Sequence, residues 1–254
     1  MEVPAHIDAL QAEGELMAAA TAAADPDAAV PTCPEWTVRD LVRHLGGVHR
    51  WATGFVASGR TEPQDAGLDE VVGTWPADND LAGWLARGCA DLVGALAAAP
   101  ADLQCWTFLP APSPRAMWAR RQAHETAIHR VDTQLSAGVA VTSCAPLFAA
   151  DGIDELLTLF VPRRSTKLRA EPPTTLAVRC TDADAAWLLR LDAHGVTTTS
   201  TGSSDAIGAA CTVSGSADDL YLALWNRADA DGLTLEGDRA VLGEFSVGVR
   251  IRWS

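Results

Sequence analysis

The hydrophobic period of this chain changes once, at the polar, proline-bearing stretch PRRSTKLRAEPP of residues 162–173. Before it, apolar residues recur every three to four positions, the spacing that lays one face of a helix on a core. After it come short β-type runs punctuated by Gly and Asp at hairpin-like intervals. A chain patterned in this way cannot fold as one bundle or one sheet throughout. It is expected to divide into a helical domain over residues 1–162 and a small α/β domain over 172–254, with the stretch between as linker.

Helix boundaries are written locally. Residues 5–24 are alanine-rich with leucines at helical spacing. Thr37 with Asp40 three residues on forms a capping-box pattern that opens a helix over 38–57. A looser connection over 59–79 leads to a helix at 80–99. Ser113 as N-cap, Pro114 at the first helical position and Gly138 just past the end delimit another over 114–137, and residues 146–161 make one more. Four helices of about 20 residues predict a bundle. Beyond the linker, strands are expected at 174–182, 185–192, 195–201 and 209–215. A helix capped by Ser216 should span 216–230, and FSVGVRIRW at 245–253 alternates like a strand.

The formal net charge of -14 argues against nucleic acid or an anionic membrane surface as partner. No apolar run reads as long enough to span a bilayer, and MEVPAHIDALQAEGE lacks the basic start and apolar core of a signal peptide. The six cysteines show no C-x-x-C pair and read as reduced, mostly buried thiols of a cytoplasmic protein, monomeric or homodimeric.

The chemistry concentrates in RRQAHETAIHRVD, residues 120–132. It misses the metalloprotease pattern H-E-x-x-H by one residue, because Ile128 stands where the second histidine should be. On a helix His124 and His129, five apart, point about 140° away from each other and cannot share an ion. Glu125 and His129 lie one turn apart on the same face and can, with Arg121 and Asp132 near the same stripe. A catalytic zinc takes three protein ligands and keeps one position open. His44, on the inward face of the helix at 38–57 with Leu41, Leu45 and Val48, is one candidate for the third. A hydrogen-bonded core histidine is its plain alternative. His124 remains a rival ligand on periodicity alone, whereas His49 is expected at the surface and His6 and His194 have no partner suggested by spacing.

VPTCPEWTVRDLVRHLGGVHRWA at 30–52 and MWARRQAHETAIHRVDTQLSAG at 117–138 resemble the mycothiol-dependent maleylpyruvate isomerase family. So do LAVRCTDADAAWLLRL and GSADDLYLALWNR further on. The resemblance implies a DinB-like four-helix bundle followed by a smaller α/β domain similar to sterol-carrier-protein folds. It implies a divalent metal, zinc or another such as nickel, held by His44, Glu125 and His129, with His124 left to packing or to the surroundings of the site. It also implies mycothiol, a cysteinyl pseudo-disaccharide with a free thiol, as cosubstrate.

Such a centre can deprotonate a thiol outright. The thiolate could add to a cis double bond and leave after rotation, an isomerase, or stay on a small electrophile, a transferase. A zinc hydrolase on the same bundle and a non-enzymatic metal- or ligand-binding protein are the alternatives. Arg227, at the end of LALWNR, resembles an arginine that the family places towards the interdomain cleft, and it and Arg121 are the two candidates for meeting an anionic substrate group. Trp36 and Trp51 are candidate cleft residues, with core packing the expected role of Trp51.

Overall fold

Thr37 and Asp40 close the capping box that their spacing predicts. The Thr37 hydroxyl accepts from the Asp40 backbone N–H, and the Thr37 N–H donates to the Asp40 carboxylate at 2.9 Å. The structure is a computed structural model that describes residues 1–163, 166, 168–202 and 208–249. Its chain forms two compact units, Met1–Thr142 and Ser143–Ser254.

In the first unit the helices are α1 (Val3–Ala23), α2 (Val38–Ser58), the short α3 (Leu68–Val72), α4 (Leu81–Ala98) and α5 (Pro114–Ser136). A two-stranded hairpin, β1 (Ala29–Val30) with β2 (Cys33–Thr37), joins α1 to α2 and was not expected from the sequence. Helix α1 packs on α4 and α5, and α2 packs on the same two, so each of the four long helices meets at least two others. Met17, Val30, Leu41, Val42, Leu45, Leu81 and Leu85 close one core between them. Helices α2 and α4 approach so closely that a Cβ at Gly46 would run into the Trp84 ring. The segment Asp78–Ala98 is, by length and composition, apolar enough to cross a membrane, which corrects the reading that no run is. Here its apolar face lies on α1 and α2.

Helix α5 carries the chemistry because it is buried almost all round while remaining polar. Arg121, Gln122, His124, Glu125, His129, Arg130 and Asp132 are each exposed by 3% or less. Polar groups survive such burial only with partners, so this helix is held in one rotation by its own side chains. Ser113 accepts from Ala116 N–H at its start, and Gly138 takes a left-handed φ of 66° just past its end, as the sequence indicates.

The second unit holds a five-stranded sheet in the order β5-β4-β3-β6-β7: β3 (Thr174–Cys180), β4 (Ala186–Leu191), β5 (Val196–Thr201), β6 (Cys211–Gly215) and β7 (Thr234–Gly237). Strands β3 and β6 run parallel; the other neighbours are antiparallel. Helix α7 (Ala217–Leu224) packs on β6, and α8 (Arg239–Gly248) on β3 and β6. Helix α6 (Pro146–Glu155), extended by a π turn through Phe160, packs on α7. The unit division therefore falls between Thr142 and Ser143, and the stretch at 162–173 lies inside the second unit.

Two further expectations change. Helix α7 stops at Leu224 instead of 230, and Asn226 follows with a φ of 61°. The expected strand at 245–253 is helical through Gly248: Asp238 caps Ala240 N–H, and Val241, Leu242 and Phe245 bury one helical face. Residues 250–253 lie outside the described residues.

Candidate metal centre

His44 from α2 and Glu125 and His129 from α5 converge. Nε2 of His44 lies 3.6 Å from Glu125 Oε1, and Nε2 of His129 lies 3.3 Å from the same oxygen. All three ligand atoms fall within 4.8 Å of one another. Each is buried and makes no hydrogen bond. Three buried polar atoms turned toward one point with no hydrogen bond are costly in a folded interior. Two imidazole nitrogens and one carboxylate oxygen are a donor set that suits zinc or another divalent ion.

The surroundings prepare these atoms for that use. His129 Nδ1 bonds Asp132 Oδ2 at 2.9 Å, and Thr32 donates its hydroxyl to Asp132 Oδ1 at 2.5 Å. An ionised carboxylate only accepts, so Nδ1 carries the proton in that bond. Arg121 donates to Glu125 Oε2 at 2.9 Å, which leaves Oε1 for the triad. Burial pushes the Glu125 carboxyl up, but the His129 and His44 imidazoles and the Arg121 charge outweigh it and hold it well below the usual carboxylate range. Burial likewise pushes His129 down, while Asp132 and Glu125 more than offset this and raise it to about 9. The side chains of His129 and Glu125 are 1% and 4% exposed and that of His44 16%, so only His44, on the α2 side, is part-exposed while all three ligand atoms are buried. The Trp36 ring leans over that side, 4.8 Å from the His44 ring and 6.4 Å from His129.

Other expectations resolve differently. His49 is fully buried, which corrects its placement at the surface. Its Nε2 bonds Thr126 Oγ1 at 2.9 Å, and burial holds its pKa down at about 3. The cause is that α2 packs on α3, α4 and α5 at once, so its buried arc is wider than one face. His124 points away from the triad and its ring meets that of His6 at 6.1 Å. Arg121, read as a possible substrate contact, is 1% exposed and committed to Glu125. Trp51 joins Phe55, Trp106, Phe108 and Trp118 in an aromatic cluster. Arg227, in the second unit, is half-buried and donates to the Trp225 carbonyl at 2.8 Å. Thr32 and the buried Glu13–Arg130 pair at 2.8 Å were not singled out from sequence. Their partners lie some hundred residues away, beyond any periodicity.

The six cysteines form no disulfide with one another, and all but Cys33 are buried. Burial drives the thiols of Cys89 and Cys180 up to about 12 and raises those of Cys105 and Cys211. These four cannot supply a thiolate near neutral pH. The second unit also has a concavity of about 890 Å³ beside α8, whose lining includes Arg169, Glu171, Asp238 and Glu244 but no histidine or cysteine among the described residues.

Comparison with known proteins adds three findings. The profile of the mycothiol maleylpyruvate isomerase N-terminal domain matches residues 7–134, and that of the MDMPI C-terminal domain matches residues 148–244. A crystal structure of the mycothiol-dependent maleylpyruvate isomerase and one of its histidine-to-alanine mutant share the fold, with TM-scores of 0.62 and 0.63. Each is 12% identical, over 93% of both chains. The search of curated proteins finds no match.

Proposed function

Because the chain belongs to the mycothiol-dependent maleylpyruvate isomerase family, we propose that it is a divalent-metal enzyme that uses mycothiol against a small electrophile, by cis–trans isomerisation or by thiol transfer. The observation that carries this reading is the convergence of three buried, unbonded ligand atoms, His44 Nε2, Glu125 Oε1 and His129 Nε2. An ion held there, zinc or another divalent metal such as nickel, would supply Lewis acidity that favours a thiol in its thiolate form. The chain's own groups do the rest. Asp132 keeps the His129 proton on Nδ1 and so leaves Nε2 free to ligate. Arg121 holds Glu125 ionised and turned toward the triad. The partial exposure of His44 leaves an approach for a polar cosubstrate on the α2 side.

The need for an external thiol fits the protein's own buried, raised thiols. The DinB-like part of the finer fold reading is supported by four long helices that each meet at least two others, and the sterol-carrier-like reading of the small domain rests on the family resemblance. Arg227 is assigned to an anionic group of the substrate, on the family resemblance.

The test is calorimetric titration of the metal-loaded chain with mycothiol, followed by an electrophile screen that includes maleylpyruvate. Protein purified without chelator should carry about one divalent ion per chain, and mycothiol should bind with release of a proton. Absence of metal together with failure to take up zinc would sink the reading. Turnover that needs no thiol would mark a hydrolase instead.

A further inference from the structure

We propose that the β1–β2 hairpin is the positioning element of this centre, fixing His129 through Thr32 and Asp132 and His44 through the Trp36 ring. The inference rests on the metal-centre reading and goes beyond its three ligands. Strand β1 packs on α5 and β2 on α2, so one short hairpin touches both ligand-bearing helices. Its turn residue Thr32 donates to Asp132 Oδ1, and the other oxygen of the same carboxylate accepts a hydrogen bond from His129 Nδ1–H. Asp132 is fully buried, so each donor it loses leaves a charge less satisfied and a ligand ring less fixed. Four residues on, Trp36 packs its ring 4.8 Å from that of His44. The hairpin thus orients one histidine by a hydrogen-bond chain and the other by ring contact.

A hairpin that merely covered the core would need only the volume of Thr32 and Trp36. A positioning hairpin needs the hydroxyl and the aromatic ring. The experiment is Co²⁺ and Zn²⁺ binding to the full chain by competition with a chromophoric chelator, with circular dichroism to confirm folding. Thr32→Val should weaken binding by about tenfold or more, the range typical of outer partners of metal ligands. Thr32→Ser should restore it to within about threefold of wild type. Trp36→Ala should likewise weaken binding, and Trp36→Phe should recover most of it. Unchanged affinity in folded Thr32→Val and Trp36→Ala overturns the proposal.

Histidine-selective ¹⁵N NMR of the metal-free chain separates this failure from failure of the metal reading. If the wild-type chain takes up no ion, the metal reading falls, and the Nδ1–H resonance of His129 still decides the hairpin's role. Its loss or shift in Thr32→Val, with retention in Thr32→Ser, supports positioning; an unchanged resonance overturns it.

Discussion

His124 and His129 share a helix and a buried environment, yet only His129 shares a face with Glu125. His129→Ala should therefore lose most bound metal. His124→Ala should keep it and instead cost about 1–3 kcal/mol of stability through its lost contact with His6. Metal analysis and urea unfolding of both variants check this, and the reverse pattern would mean that the α5 rotation is misread. His49 provides a test by pH. Its pKa is about 3 when folded and near 6.5 when unfolded, so between those values the unfolded chain binds a proton that the folded chain refuses. Its neutral burial costs nothing above about pH 6.5 and progressively destabilises as pH falls toward 3, by up to about 1.4 kcal/mol per pH unit. His49→Gln should flatten the stability–pH profile over that window, and a slope equal to wild type would exclude this origin. At this scale the sequence was legible where partners are three or four residues apart on one helix. Arg121 with Glu125 and His129 with Asp132 are such pairs. It was opaque for His49, whose burial depends on how many helices surround α2.

At the scale of elements, α2 offers a contrast between two of its glycines. Gly54 has open space where a Cβ would go, whereas Gly46 faces the Trp84 ring. Alanine is about 1 kcal/mol better than glycine inside a helix, so Gly54→Ala should stabilise by roughly that amount. Gly46→Ala meets a rigid indole and should destabilise by about 1–3 kcal/mol despite the same propensity gain. Opposite shifts of the two urea midpoints are expected, and equal shifts would show that α2 and α4 can separate without cost. Helix ends were readable because caps are local chemistry: Thr37 with Asp40, Ser113 with Ala116, and Gly138. The β1–β2 hairpin was not, since its strands are two and five residues long and one contains Pro34. The segment from Phe245 misled because F-S-V-G-V alternates like a strand, while the Asp238 cap and the burial of Val241, Leu242 and Phe245 select a helix.

For the whole molecule, the switch from helical to alternating pattern anticipated a helical part followed by a sheet part, and the two family profiles follow the same order. The position of the division did not follow from composition, because α6 and its π turn are helical in pattern yet belong with the sheet. The proposed substrate role of Arg227 is tested by its replacement. Arg227→Ala should lower kcat/KM by roughly ten- to a hundredfold, the worth of a hydrogen bond to a charged group, while metal content stays unchanged. Unaltered turnover removes the assignment. The burial of the thiols, finally, bears on survival in use. Under the proposed function the chain meets electrophiles capable of alkylating its own cysteines. Thiols such as Cys89 and Cys180, shielded and held at about 12, make poor targets for that self-inflicted damage. Brief iodoacetamide treatment of the native chain should mark Cys33 at most, and mass spectrometry that found Cys89 or Cys180 labelled would refute this built-in tolerance of its own substrates.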